Sequence, residues 1–155
     1  MSDLLSLYAT DVEKENQGVW TDDLGGGLRL KVARLRNPNF KQLYAKLTKP
    51  YERQIRARTL DEATENRILN QCLSKTVLLD WENLNLAGQI LEYSIENALK
   101  VLSDPRLQDF RDLVVDLASD AQFFRDESLG QAEKNLPSGS DGASNGAPTS
   151  DSLDA

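Results

Sequence analysis

The chain has 155 residues, 25 of them acidic and 18 basic, for a formal net charge of −7, with no His and one Cys. That length fits one small domain, with or without a tail. A single Cys72 allows no intrachain disulfide, and without histidine every imidazole-based catalytic scheme and every His-ligated metal site is excluded.

No apolar run approaches the roughly 20 residues needed to cross a bilayer, so a soluble protein is expected. Residues 1–16 read as an N-terminal extension. The first ten lack the basic and then long apolar pattern of a signal peptide, and the lone thiol fits a reducing compartment, so a cytoplasmic location is expected.

A β-hairpin is predicted over 17–36. Val19-Trp20 and the run from Leu28 to Leu35 flank Gly25-Gly26-Gly27, and Leu28, Leu30 and Val32 alternate with Arg29 and Lys31, which puts the aliphatics on one face and the cations on the other. A phosphate cradle would require Gly-Lys-Ser/Thr and a helix directly after the glycines. Neither follows, so the glycines are read as the turn.

Asn37-Pro38 opens a first helix, with Asn37 as N-cap and Pro38 at the first helical position, followed by Phe40, Leu43, Tyr44 and Leu47. Pro50 ends or restarts it, with a further turn or two over 51–58. A second helix opens at Asp61 or Thr59, and its buried stripe is Ile68, Leu69, Cys72, Leu73, Thr76 and Val77. Trp81 then fills the core where that helix meets a loop running to Tyr93, with Asp80 and Glu82 ending the helix and solvating the loop.

Ser94 caps a third helix containing Ile95, Ala98, Leu99 and Leu102. Ser103 or Asp104, ahead of Pro105, opens a fourth, in which Leu107, Phe110, Leu113, Val114, Leu117, Ala118, Ala121 and Phe124 recur at three- and four-residue intervals. In the segment 127–155, from Gly130 onward, the sequence is dominated by Ser, Gly, Asn, Pro, Ala and Asp with Leu136 and Leu153 as its sizeable apolar side chains, too few to offset about 1 to 2 kcal/mol of backbone entropy per residue. A disordered acidic tail is expected there. The expected fold is mainly α: about four helices and an N-terminal hairpin in a domain over 17–126.

Sequence signals for chemistry are weak. Asp109, Asp112 and Asp116 lie opposite the apolar stripe of the fourth helix and read as a solvated face, and no Asp-x-Asp-x-Asp-Gly loop is present. Cys72 sits in an apolar stripe with no His to ionise it. No enzymatic activity, metal or cofactor is expected.

Charge is the stronger signal. Residues 29–58 hold ten cations against Glu52, net +9, while 1–28, 59–126 and 127–155 carry −5, −7 and −4. Three readings of this basic block stay open. It answers acidic segments of the same chain. It faces a partner or a second copy through Arg29, Lys31, Arg34, Arg36, Lys41 and Lys46. Or it binds nucleic acid, with Arg29, Lys31, Arg34 and Arg36 on the exposed face of the hairpin and Tyr44 or Tyr51 for stacking, against which stand the acidic flanks.

Trp20 ahead of a Gly turn, Leu35-Arg36-Asn37-Pro38-Asn39-Phe40, Leu78-Leu79-Asp80-Trp81-Glu82-Asn83-Leu84, Tyr93-Ser94 with Asn97-Ala98, and Phe110-Arg111-Asp112-Leu113-Val114 occur in order. Together they resemble the tail assembly chaperones of long-tailed bacteriophages. The family-motif positions are Trp20, Asn37, Pro38, Phe40, Asp80, Trp81, Tyr93 and Phe110. Leu86-Ala87-Gly88-Gln89-Ile90-Leu91 departs from the pattern in being less polar.

The resemblance implies a non-enzymatic protein of the host cell cytoplasm. Such a protein binds the tape measure protein, keeps it soluble for tail tube assembly, and is absent from the virion. It also implies a longer product of ribosomal frameshifting that recruits the tail tube protein. Alternatives are a structural head-tail or tail subunit retained in the particle, and a nucleic-acid-binding accessory protein.

Overall fold

A computed structural model describes residues 1–126, and the tail expected over 127–155 lies outside the described residues. The chain forms two compact units, and within the described residues Asp11–Phe124 is the larger. In the smaller unit, helix α1 (Leu4–Tyr8) is capped by Asp3, which accepts from the Ser6 amide at 2.9 Å. Arg125 donates to the carbonyls of Ser6 and Leu7, and Thr10 forms a β-bridge with Arg125.

The larger unit begins with helix α2 (Val12–Gln17), N-capped by Asp11. Glu15 of α2 pairs with Arg34, and the compact unit that contains both runs from Asp11 to Phe124. Strands β1 (Val19–Trp20) and β2 (Arg29–Val32) form the expected hairpin. Its loop is tied by Asp23, whose Oδ1 accepts from the amides of Gly25 (2.7 Å) and Gly27 (2.9 Å). Gly27 has φ +86°, and a Cβ there would stand 3.2 Å from the Asn83 side chain, so only glycine fits unstrained.

A third strand, β3 (Leu78–Glu82), corrects the expected loop around Trp81. It pairs antiparallel with β2 in the order β1-β2-β3, with Arg29 opposite Glu82, Leu30 opposite Trp81 and Lys31 opposite Asp80. A register shift between Lys31 and Val32 then puts Val32 opposite Leu78. Asp80 and Glu82 therefore belong to a strand and end no helix. The less polar segment after it is a second hairpin, β4 (Asn85–Leu86) and β5 (Gln89–Ile90), whose two-residue loop has positive φ at both Ala87 and Gly88.

Helix α3 (Pro38–Thr48) starts at Asn37 as read from sequence, and a 3-10 turn (Lys49–Tyr51) at Pro50 leads into α4 (Glu52–Ala57). Helix α5 (Glu62–Thr76) is capped by Asp61 and α6 (Ile95–Ser103) by Ser94, both as expected. Asp104 caps a 3-10 turn (Pro105–Leu107) that runs into α7 (Gln108–Ser119). The fourth helix is shorter than its periodicity suggested. It stops at Ser119, a separate 3-10 turn spans Ala121–Phe124, and Ala121 is exposed while Phe124 is fully buried.

α5 packs against α3 and α6, and α6 against α7. Leu30, Val32, Leu78 and Trp81 from the sheet join Ile68, Cys72, Leu73, Ala98, Leu102, Val114 and Ala118 from the helices in one core. Beyond β2 the chain is fastened by three elements in succession. The amides of Ala33, Arg34 and Leu35 donate to the carbonyls of Val77 (2.8 Å), Glu15 (2.8 Å) and Ala118 (2.9 Å).

Candidate functional site

The basic block divides into two parts of different chemistry. Arg29 is held within the hairpin: its Nε donates to the Thr21 carbonyl at 2.9 Å, its Nη1 lies 3.2 Å from Glu82, and its guanidinium sits 5.3 Å from the Trp20 ring centre. Lys31 is half-buried opposite Asp80. Arg34 and Arg36 do not lie on the hairpin face, because β2 ends at Val32. Arg34 pairs with Glu15 at 3.3 Å and covers the Phe124 ring, so its charge is answered inside the same unit.

From Arg36 onward the cations face outward. Arg36 is exposed with φ 65°, a left-handed backbone that non-glycine residues adopt at a cost. It lines a cavity of about 250 Å³ with Leu35, Phe40, Tyr44, Glu65 and Leu69. Lys41 and Lys46 are exposed on α3. Tyr44 stacks on Phe40 (centroids 6.0 Å, planes 9° apart) and stays 39% exposed, whereas the Tyr51 hydroxyl accepts from Arg67 at 3.0 Å.

Exposed cations continue along the chain beyond Lys46. Lys49, Arg53, Arg56 and Arg58 continue the surface along α4, a helix with no buried residue, and Arg58 ends it in the left-handed conformation. The signal was present in sequence as the lack of apolar periodicity over 52–58, where Ile55 is the one large aliphatic. Among the described residues no carboxylate lies within ion-pair distance of Lys41, Lys46, Lys49, Arg53, Arg56 or Arg58.

The motif residues mostly build the scaffold. Asn37 is 4% exposed, and its Oδ1 accepts from the Phe40 amide at 3.0 Å. Its Nδ2 donates to the carbonyls of Arg34 (2.8 Å) and Thr76 (2.9 Å). One side chain thus joins the β2 exit, the start of α3 and the end of α5, beyond the N-cap role read from sequence. Pro38 follows it at the exposed first position of α3, and Phe40 is buried.

Trp81 is 5% exposed, donates from Nε1 to the Leu91 carbonyl at 2.7 Å and meets Tyr93 edge-on at 5.0 Å. Tyr93 donates to the Leu78 carbonyl at 2.7 Å, and burial, with the charge of Asp80 adding to it, raises its phenol pKa. Asp80 accepts from the Trp81 amide at 2.8 Å. Asp80, Trp81 and Tyr93 are therefore brought together, while Trp20 lies at the far edge of the sheet under Arg29.

Phe110 is half-buried and lines an apolar cavity of about 130 Å³ with Leu28, Leu84, Leu86, Val101 and Leu107. A polar cleft of about 440 Å³ lies on the other side of α7, between Glu62, Asn70, Asp104, Arg111 and Asp112. In it Arg111 Nε donates to Asn70 Oδ1 at 2.6 Å. Cys72 is fully buried, and desolvation raises its thiol pKa. Among the described residues no group of three or more Cys, Asp or Glu converges as metal ligands, and no helix is long and apolar enough to cross a membrane.

These features describe a small mainly α protein whose motif residues hold its core and whose charge is displayed on exposed helices. A family model described as YdaY prophage protein matches residues 35–135, about two-thirds of the chain, and the chain belongs to that family. The match spans Asn37, Trp81, Tyr93 and Phe110. No curated protein and no solved structure matches this sequence.

Proposed function

We propose that this phage protein is a non-enzymatic tail assembly chaperone. It binds the tape measure protein, keeps that long helical chain dissolved in the host cytoplasm while tube subunits assemble, and leaves before the particle is complete. The observation that carries this reading is the exposed surface running from Arg36 along α3. There the cavity of Leu35, Phe40, Tyr44 and Leu69, with Arg36 and Glu65 also in its wall, opens beside exposed cations. A helix laid along such a surface would bury one apolar stripe in the cavity and keep its acidic residues on the cations.

Membership of a prophage family and the tail-chaperone motifs at Asn37, Trp81 and Phe110 support the same assignment. Recruitment of the tail tube protein would fall to a longer frameshifted product of the same gene. The test is to induce a prophage carrying the gene and analyse purified particles by mass spectrometry, alongside a deletion strain. The account expects tape measure peptides without peptides of this chain, and tailless heads in the deletion strain. Recovery of this chain from intact particles in stoichiometric amounts would instead make it a retained tail subunit.

A further inference from the structure

Helix α1 (Leu4–Tyr8) is too short to persist alone, since isolated helices below about 12 residues are marginal in water and draw most of their stability from packing an apolar face. Its apolar residues do share a face. At about 100° per residue, Leu7, Leu4, Tyr8 and Leu5 fall within an arc of about 160°, with Ser6 on the other side. An arc that wide is what a core-facing helix presents. Yet Ser6 is the one half-buried residue of α1, and all four apolar side chains are exposed, Leu4 by 71% and Tyr8 by 72%.

The chain comes back to this helix at Arg125. Thr10 and Arg125 form an antiparallel bridge, and the Asp126 amide donates to the Ala9 carbonyl at 3.3 Å. The Arg125 guanidinium donates to the carbonyls of Ser6 and Leu7, at the negative end of the helix dipole. Running antiparallel to Ala9-Thr10, the chain beyond Asp126 starts from the C-terminal end of α1 and heads back along it.

The sequence that follows carries a helix signature of its own. Ser128-Leu129-Gly130-Gln131 is a capping box, with Ser128 at the N-cap and Gln131 at the third helical position. Leu129, Ala132 and Leu136 then recur at intervals of three and four on one face, and Pro137 stops the pattern. The match to the family model extends past Asp126 and ends at residue 135, where this pattern also ends.

We propose that residues 129–136 form a helix that folds back antiparallel on α1, with Leu129, Ala132 and Leu136 covering Leu4, Leu5, Leu7 and Tyr8. Position and pattern select this occupant. The segment is tethered by the Thr10–Arg125 bridge at the end of the face it covers, and it supplies an apolar stripe of matching period. A second copy would have to compete from free solution with a segment held at about millimolar effective concentration by its short connection. The leucines of α1 are then an internal contact and not a surface offered to a client, and the acidic Ser/Gly-rich tail begins at Pro137.

The experiment is hydrogen exchange read by mass spectrometry on the full chain at two protein concentrations, with sedimentation velocity alongside. Amides of 132–136 should exchange at least about tenfold more slowly than those of 138–155, at a rate independent of concentration. L129S/L136S should abolish that protection and the protection of α1 together, whereas Leu153→Ser should change neither. L4S/L5S should release 132–136 in turn. In every variant the larger unit should melt as in wild type, since none of these side chains belongs to it.

Exchange over 132–136 as fast as over 138–155 overturns the proposal. So does protection seen only at concentrations where dimers sediment, which would give the face to a second copy. Protection of 132–136 that survives L4S/L5S overturns it as well, because the segment would then pack elsewhere.

Discussion

Replacing Asn37 by alanine removes three hydrogen bonds at a position that is 4% exposed. Loss of the N-cap acceptor costs about 1 kcal/mol. Loss of the two donations from Nδ2 costs about 1 kcal/mol each, and more if the Thr76 carbonyl, buried against α3, is left without a donor. The expected destabilisation is about 3 kcal/mol. At about 2 kcal/mol per molar for urea, that moves the unfolding midpoint down by about 1.5 M.

Asn37→Ser separates the contributions, because its hydroxyl keeps the cap and gives up the reach to Arg34 and Thr76. It should lose about 2 kcal/mol. Asn37→Asp keeps the acceptor and points a carboxylate at two carbonyl oxygens 2.8 and 2.9 Å from the present Nδ2, so it should be no more stable than the alanine variant. Urea titration followed by far-UV circular dichroism reads all three. An aspartate variant as stable as wild type would refute the claim that Nδ2 joins these elements.

The remaining predictions concern the fourth helix, a turn and an acid titration. Val114→Asp puts an unpaired charge at a fully buried site and should cost about 4 kcal/mol or more, whereas Leu117→Asp, at a half-buried site, should cost less and still melt cooperatively; thermal melts rank them. Ala87→Asn should raise stability by about 0.5 to 1 kcal/mol in the same melts, since Ala87 occupies the left-handed region at φ 52°, where asparagine is better tolerated. The side chain and amide of Arg106 hold the Asp104 carboxyl at about 2, below its ordinary 3.8. Its contribution to stability is therefore complete above pH 3.8 and is lost as pH falls through about 2. Arg106→Ala should raise that titration midpoint part of the way, because the amide remains, and carboxyl carbon chemical shifts followed against pH would show it.

Local chemistry made much of the fold readable. Asn37-Pro38, Asp61 and Ser94 are cap residues that act within four positions of themselves, and each caps its helix as expected. The alternation of Leu30 and Val32 with Arg29 and Lys31 likewise shows which face of the hairpin is buried. Strand β3 was hidden for a physical reason. Its core residues Leu78 and Trp81 are three apart, a helical spacing, because the register shift opposite Lys31 and Val32 lets both face inward.

Ala121 misleads in a similar way, since the helix breaks at Asp120 and the following 3-10 turn resets the phase of the stripe. For the site, a charge count located the basic block but could not apportion it. Whether a cation is answered depends on residues distant in sequence, as Glu82 is from Arg29. The outward-facing α4, by contrast, has its signal in the sequence, since 52–58 holds Ile55 as its one large aliphatic residue.

Co-expression with a fragment of a phage tape measure protein tests the proposed function most directly. The measurement is the share of the fragment in the cleared lysate, with this chain and with an unrelated acidic protein of similar size. The account predicts that the fragment becomes soluble and copurifies with this chain alone. A fragment that enters inclusion bodies to the same extent in both cases would contradict it.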